Sequence, residues 1–306
     1  MSDHVTVCEV GPRDGLQMAH GRMATATKIR WIEALAMAGL PEIEVGSFVP
    51  ARVIPQMADT GEVVRAVKDL PPLIVALAPN LKGVQLAADA GAKRVSVPVS
   101  VSEGHSRANT NRSTAEAVAE VGRIAAWVRD SGCGVEVEGA LSTAFGCSID
   151  GVVPERRVVE VAAALAEAGA DLVALADTVG YANPAQVKRA VRAVRAAVGG
   201  KLEGLHLHDT MGLGLANALA GIEEGIRSFD SSLAGLGGCP YAPGASGNIV
   251  TEDLVFMLES MGLHTGVDLE KLLAARAILE DGLPDEPRHG GLARAGIPRT
   301  FRALAA

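Results

Sequence analysis

Two histidines one residue apart, His206 and His208, close an apolar run at residues 202–208. Successive strand residues point to opposite faces, so positions i and i+2 share one face and both imidazoles can reach a common point. A carboxylate from a neighbouring strand end would complete a site for a divalent ion. Asp14 follows the first apolar run, within Glu9-Val-Gly-Pro-Arg13-Asp14-Gly-Leu-Gln17. The same histidine pair fits equally well as core residues held by hydrogen bonds. Arg13 beside Asp14 is either a surface ion pair of small energetic weight or, fixed between Pro12 and Gly15, a cation aimed at a reacting group. Residues 232–248, SLAGLGGCPYAPGASGN, contain five glycines and two prolines, too many for a helix or a central strand. Their one thiol, Cys239, is placed either over a ligand or as a small buried side chain. Cys8, Cys133 and Cys147 read as core or supporting residues. His20, His105, Arg107 and Arg112 fall in loops that face substrate or solvent.

These residues need a frame to bring them together, and the chain alternates short β-rich runs with longer amphipathic stretches. Strands are predicted at residues 5–9, 42–46, 73–76, 94–99, 134–138, 172–176, 202–208 and 228–233. Helical patterns occupy 28–37, 62–68, 114–130, 156–168, 184–198 and 213–223. Ser113 with Glu116 forms a capping box, and Asn183-Pro184 supplies a cap and a first-turn proline. Helices pass into strands through glycine at Gly39, Gly91, Gly169 and Gly225, as expected where a left-handed residue ends a helix. Eight βα units without a composition break favour a closed (β/α)8 TIM barrel over an open doubly wound sheet. No G-x-G-x-x-G follows the first strand, which weakens a dinucleotide-binding reading. The expected organisation is one domain over 1–306. Its barrel covers about 5–262, and a short C-terminal helical extension, with a helix at 269–279, covers about 263–306.

Composition excludes several classes. The chain has 306 residues, 36 acidic against 28 basic, and a net charge of −8, which does not suit nucleic acid. Five Phe, two Tyr and two Trp leave little material for aromatic stacking platforms. No run approaches the roughly 18 apolar residues of a membrane-spanning helix. His4 and Asp3 stand where a signal peptide would be basic and apolar, and four scattered cysteines suit a reducing cytoplasm. In a barrel, chemistry sits at the C-terminal strand ends. Polar residues gather there: Arg13, Asp14 and Gln17 after the first strand, Glu44 and Ser47 at the second, Asp177 and Thr178 at the sixth, and His206, His208 and Asp209 at the seventh.

Taken together, EVGPRDGLQ at 9–17, GSFVP at 46–50, PNLKG at 79–83, HLHDT at 206–210 and LAGLGGCPYAPGASGN at 233–248 resemble the 3-hydroxy-3-methylglutaryl-CoA (HMG-CoA) lyase family. That family belongs to a wider group of metal-dependent TIM-barrel lyases and Claisen condensing enzymes with an Arg-Asp pair after the first strand. The likeness runs from about Val5 to about Leu273. It implies that Asp14, His206, His208 and Asn248 ligate Mg²⁺ or Mn²⁺, and that the activity is carbon–carbon cleavage of a 3-hydroxyacyl-CoA to acetyl-CoA and a keto acid. Arg13 would hold the enolate oxygen, Asp14 or His206 would relay the hydroxyl proton, and Cys239 would protonate the leaving carbon. Glu44, Asp177 and Glu252 would orient these groups. Gln17 and Ser47 would contact substrate, and Lys82, Arg107 and Arg112 are candidates for the CoA phosphates. The family also implies a homodimer.

The sequence departs from the family pattern in places. Met18-Ala19-His20 stands where Asn-Glu and then Lys are usual. Gly139-Ala140-Leu141-Ser142-Thr143 replaces G-Y-V-S-C, and Ala174 replaces a common serine. These changes keep the metal and acid positions but alter the acyl pocket. They leave citramalyl-CoA, or a longer branched 3-hydroxyglutaryl-CoA, as the alternative substrate. A condensing synthase of the same group would lack the cysteine loop and carry a regulatory domain, for which the chain beyond Leu273 leaves no room.

Overall fold

The computed structural model describes residues 3–237 and 247–301. Eight parallel strands close into a barrel in chain order: β1 (Thr6–Glu9), β2 (Glu42–Ser47), β3 (Leu73–Leu77), β4 (Arg94–Ser100), β5 (Glu136–Ser142), β6 (Leu172–Asp177), β7 (Leu202–Leu207) and β8 (Ser228–Ser231). β8 pairs back onto β1, with Thr6 opposite Ser228 and Glu9 opposite Ser231. This is the (β/α)8 TIM barrel that the alternating pattern predicts.

The differences lie at strand ends. β5 starts at Glu136 rather than at 134, because Gly134 adopts φ +70° and cannot extend the ladder. β8 stops at Ser231, and Leu233–Gly235 forms a tight 3₁₀ turn with Ala234 at φ +60°. The helix predicted at 28–37 begins a turn earlier, as Thr25–Met37. The Ser113–Glu116 capping box forms on Thr114–Ser131, and Asn183 accepts from Gln186 N on Pro184–Val198. The four joining glycines all have positive φ, between 84° and 106°. Cys8 and Cys147 are buried as expected. Cys133 is exposed, since it follows the left-handed Gly132 at the end of a surface helix.

Side chains alternate along each strand. On β5, Val137, Gly139 and Leu141 are buried under the helices, while Glu136, Glu138, Ala140 and Ser142 are half-buried. Helix Glu155–Ala168 packs so closely there that a Cβ on Gly139 would lie 2.9 Å from Leu165 Cδ1. The outer layer is the apolar core, built from residues such as Trp31, Ile43, Val95, Leu165, Leu175 and Phe229.

Beyond the barrel, helix Leu269–Gly282 packs on Thr25–Met37. Arg276 Nη1 donates to Glu252 Oε1 at 2.7 Å and to the His289 carbonyl at 2.8 Å. Glu286 accepts from the backbone N–H of His20 and Gly21. The C-terminal segment is thereby tied to the loop after β1. Among the described residues no helix is long and apolar enough to cross a membrane.

Candidate active site

The chain leaves β1 through a π-helical turn, Gly11–Gly15, in which the Val10 carbonyl accepts from the N–H groups of Arg13, Asp14 and Gly15. Such wide turns occur often at functional sites, because they re-aim side chains that a regular helix would place elsewhere. Here the turn sends Arg13 and Asp14 inward, 8 % and 6 % exposed. Arg13 Nε donates to Glu44 Oε2 and Nη1 to Asp14 Oδ1, each at 2.5 Å. Burial alone would lower the guanidinium pKa, but the Glu44 and Asp14 carboxylates outweigh it, and Arg13 is a permanent cation. Burial pushes Glu44 up to about 7 in spite of Arg13. Asp14 is also opposed by burial, yet Arg13 and the two histidines hold it far below the usual carboxylate range.

Two strands away in the barrel, β7 and the residue that follows it present His206 and His208 on one side, as the i, i+2 spacing requires. Their Nε2 atoms are 3.1 Å apart. His206 Nδ1 lies 3.0 Å from Asp230 Oδ2, and His208 Nε2 lies 3.7 Å from Asp14 Oδ2. Burial works to lower His206, but the Asp230 carboxylate raises it overall; burial lowers His208. Asn248, bridged to His208 through the backbone, donates from Nδ2 to Asp14 Oδ2 at 2.7 Å and leaves Oδ1 buried without a partner.

The ligand atoms of Asp14, His206 and His208 all lie within 4.8 Å of one another. Neighbouring ligands of an octahedral ion at about 2.1 Å are themselves about 3.0 Å apart. A carboxylate, two imidazoles and an orphaned amide oxygen therefore fit a divalent cation of the magnesium or manganese type better than a thiolate-rich zinc site.

The remaining expected residues divide. Gln17 lines the cavity and donates to Asp14 Oδ1 at 3.1 Å. Glu44 holds Arg13 as expected. Asp177 instead accepts from the N–H groups of Tyr181 and Ala182, and burial pushes it up to about 6. Glu252 accepts from Ala234 N and Arg276. Both acids fasten backbone next to the site. Ser47 is buried against Thr60 and does not line the cavity. Lys82 is exposed, and Arg107 turns outward to Glu103 at 3.0 Å; neither lines the cavity. Arg112 does, anchored by Nη1 to the Pro79 carbonyl. Cys239 lies outside the described residues.

The sequence reading missed Asp230, Arg52 and Glu138, all of which line the same cavity of about 990 Å³. Asp230 and Glu138 did carry a signal, an acid at an inward position of a predicted strand.

Comparisons with known proteins point to one family. The HMGL-like family matches residues 4–279. The mitochondrial hydroxymethylglutaryl-CoA lyase of Mus musculus is 44 % identical over 272 residues, covering 89 % of this chain and 83 % of that protein. The (R)-citramalyl-CoA lyase of Chloroflexus aurantiacus is 43 % identical over 282 residues, covering 89 % and 88 %. Among solved structures, an HMG-CoA lyase from Acinetobacter baumannii in complex with coenzyme A and 3-methylmalate superposes with TM-score 0.91 at 39 % identity, covering 100 % of this chain and 99 % of that one. With Arg13, Asp14, His206 and His208 gathered at the C-terminal end of a closed barrel, and likeness extending over nine-tenths of its length, the chain belongs to the HMGL-like family of carbon–carbon lyases.

Proposed function

We propose that the protein cleaves a 3-hydroxy-3-methylacyl-CoA thioester by a retro-Claisen reaction, with HMG-CoA to acetyl-CoA and acetoacetate as the reference case. The observation that carries this reading is the convergence of a permanent cation and a divalent-ion ligand set on one cavity. The C2–C3 bond breaks, the 3-hydroxyl loses its proton and becomes a ketone, and the acetyl-CoA enolate takes a proton at C2. Asp14, His206, His208 and Asn248 would hold Mg²⁺ or Mn²⁺, which would supply positive charge beside the substrate hydroxyl as it loses its proton.

Arg13, clamped by Glu44 and Asp14, holds the thioester oxygen as it gains charge. Asp14 and His206 are the two candidates for the hydroxyl proton, and His206 alone has an onward path, 3.0 Å to Asp230. Cys239 is the acid for the enolate carbon, a role that rests on the family likeness of its loop. Arg52 and Arg112 stand at the cavity wall as the cations for CoA phosphates, in place of Lys82 and Arg107.

The test is acetyl-CoA release from HMG-CoA with Mg²⁺ or Mn²⁺. We expect loss of release in Cys239→Ala and after chelation. Full activity in chelator overturns the reading. A second substrate, citramalyl-CoA, is favoured by the small Ala140 and Ala174 on the cavity wall and by the citramalyl-CoA lyase relative. Net condensation of acetyl-CoA with a 2-keto acid would instead identify a synthase. We also propose a cytoplasmic homodimer, its oligomeric state to be checked by light scattering in solution.

A further inference from the structure

Arg52 stands exposed on the cavity wall, and among the described residues its guanidinium makes no hydrogen bond or ion pair. Arg112, the other cation there, is fixed through its own side chain, which donates from Nη1 to the Pro79 carbonyl at 3.0 Å. Arg52 has only its backbone to place it. That backbone is a turn in which the Pro50 carbonyl accepts from Val53 N at 2.8 Å, and the run from Val53 to Gln56 continues along the cavity. Whatever holds this loop decides where the Arg52 charge stands.

The hold comes from outside the loop. Asp59 occupies the cap position of helix Thr60–Val67, where an aspartate ordinarily accepts from the first turn of its own helix, yet its side chain makes no such bond. Both oxygens turn to helix Thr25–Met37 instead. Lys28 Nζ donates to Oδ1 at 2.6 Å, and Thr25 Oγ1 donates to Oδ2 at 2.8 Å. Lys28 Nζ also donates to the Gln56 carbonyl at 2.5 Å, and Gln56 Nε2 donates to the Ala19 carbonyl, in the loop after β1, at 2.9 Å. The Lys28 side chain is 5 % exposed and does not line the cavity. A buried ammonium is costly unless acceptors meet its donors, and here the acceptors are a carboxylate and a carbonyl at the end of the loop that carries Arg52. Movement of the loop would strand that charge, so Lys28 resists it more strongly than a neutral contact would.

We propose that Lys28 is a positioning residue for substrate binding: by clamping Asp59 and the Gln56 carbonyl it holds the turn that presents Arg52 to the phosphates of CoA, without touching substrate itself. The proposal rests on the lyase reading and on the place that reading gives to Arg52.

The experiment follows acetoacetate release by the full-length, metal-loaded enzyme from two substrates, HMG-CoA and the HMG thioester of pantetheine, which keeps the reacting centre and lacks the phosphates. We expect Lys28→Met and Arg52→Ala each to raise KM for HMG-CoA about tenfold with kcat held within about twofold, and neither to move KM for the pantetheine thioester by more than about twofold. In the Arg52→Ala background Lys28→Met should add less than about twofold, because the residue through which it acts is gone. Asp59→Asn weakens the same clamp from the other side; it should raise KM for HMG-CoA in the same way, and it carries the comparison if Lys28→Met fails to fold. An effect of Lys28→Met that persists in the Arg52→Ala background, or that falls equally on the pantetheine thioester, overturns the proposal and leaves Lys28 a structural role. An unaltered KM in Lys28→Met overturns it too. An unaltered KM in Arg52→Ala takes Arg52 away from the phosphates and the proposal with it. Acetoacetate from neither thioester with the unaltered enzyme overturns the HMG-CoA reading itself, an outcome distinct from turnover that ignores Lys28.

Discussion

At the scale of the residue, Arg13 and Glu44 are the pair to separate. Arg13→Met should lower kcat about 10²–10³-fold, the usual cost of losing a group that stabilises developing charge. It should also destabilise the fold by about 3–5 kcal/mol, because Glu44 is left buried beside no cation. Arg13→Met with Glu44→Gln should recover most of the melting temperature and none of the turnover. Recovery of both would assign Arg13 a merely structural role.

Glu9 gives a pH prediction away from the ligand set. It is fully buried, accepts from Gly11 N, Leu233 N and Thr251 Oγ1, and burial pushes it up to about 8. Between about pH 4.5 and 8 the unfolded chain has released this proton and the folded chain has kept it. The stability associated with Glu9 is therefore complete at low pH and falls as pH rises through that window, by at most about 1.4 kcal/mol per pH unit. Buried Glu42 and half-buried Glu138 act with the same sign. Urea midpoints measured from pH 5 to 8 should decline, and Glu9→Gln should make the decline shallower; an unaltered slope would show that Glu9 is already ionised in the fold.

At the scale of the element, contact between β5 and its helix can be tested by a double-mutant cycle. Gly139→Ala pushes a methyl to 2.9 Å from Leu165 Cδ1 and should cost about 1–3 kcal/mol. Leu165→Ala should cost about 2–5 kcal/mol. The double variant should be more stable than the sum, since each change relieves the other; strict additivity in thermal or urea unfolding would place the strain elsewhere.

Elements were the legible part of the sequence. Strand alternation, the Ser113 cap and the glycine joins are local signals, and each has a local cause. Strand limits at Glu136 and Ser231 were less legible, because they depend on left-handed backbone at Gly134 and Ala234. Arg13, Asp14, His206 and His208 could be picked out because their spacing states which way they point. Asp230 becomes a partner of His206 only when β7 and β8 pair, and Glu138 lines the cavity beside the small Ala140 and Ala174, which a strand read by itself does not reveal. Lys82 and Arg107 show the converse: Arg107, expected in a loop, lies on helix Glu103–Thr110 and Lys82 on helix Leu81–Ala90, and they turn to a neighbour on the same helix and to solvent respectively.

At the scale of the whole molecule, the chain crosses from barrel to extension and back to the site. Glu252 joins the turn after β8 to Arg276, and Glu286 returns to the backbone beside the β1 turn. Glu286→Ala should lower kcat/KM a few-fold and cost about 1–3 kcal/mol of stability, since the Glu286 side chain is 9 % exposed and two backbone donors lose their acceptor. Turnover at the level of the unaltered enzyme would show that the extension does not steady the β1 loop.

Gly247 sits against the carbonyls of Gly235 and Gly237, so close that a Cβ on it would meet them at 2.6 and 2.5 Å. The two rims of the cysteine segment thus touch before that segment is counted, and its closure adds little constraint to the barrel. Because these rims already touch, shortening residues 239–245 to a glycine link should leave the melting temperature within a few degrees while abolishing acetyl-CoA release. A chain circularly permuted to begin and end there should still fold, and segments from relatives with other substrates should be exchangeable without rebuilding the scaffold.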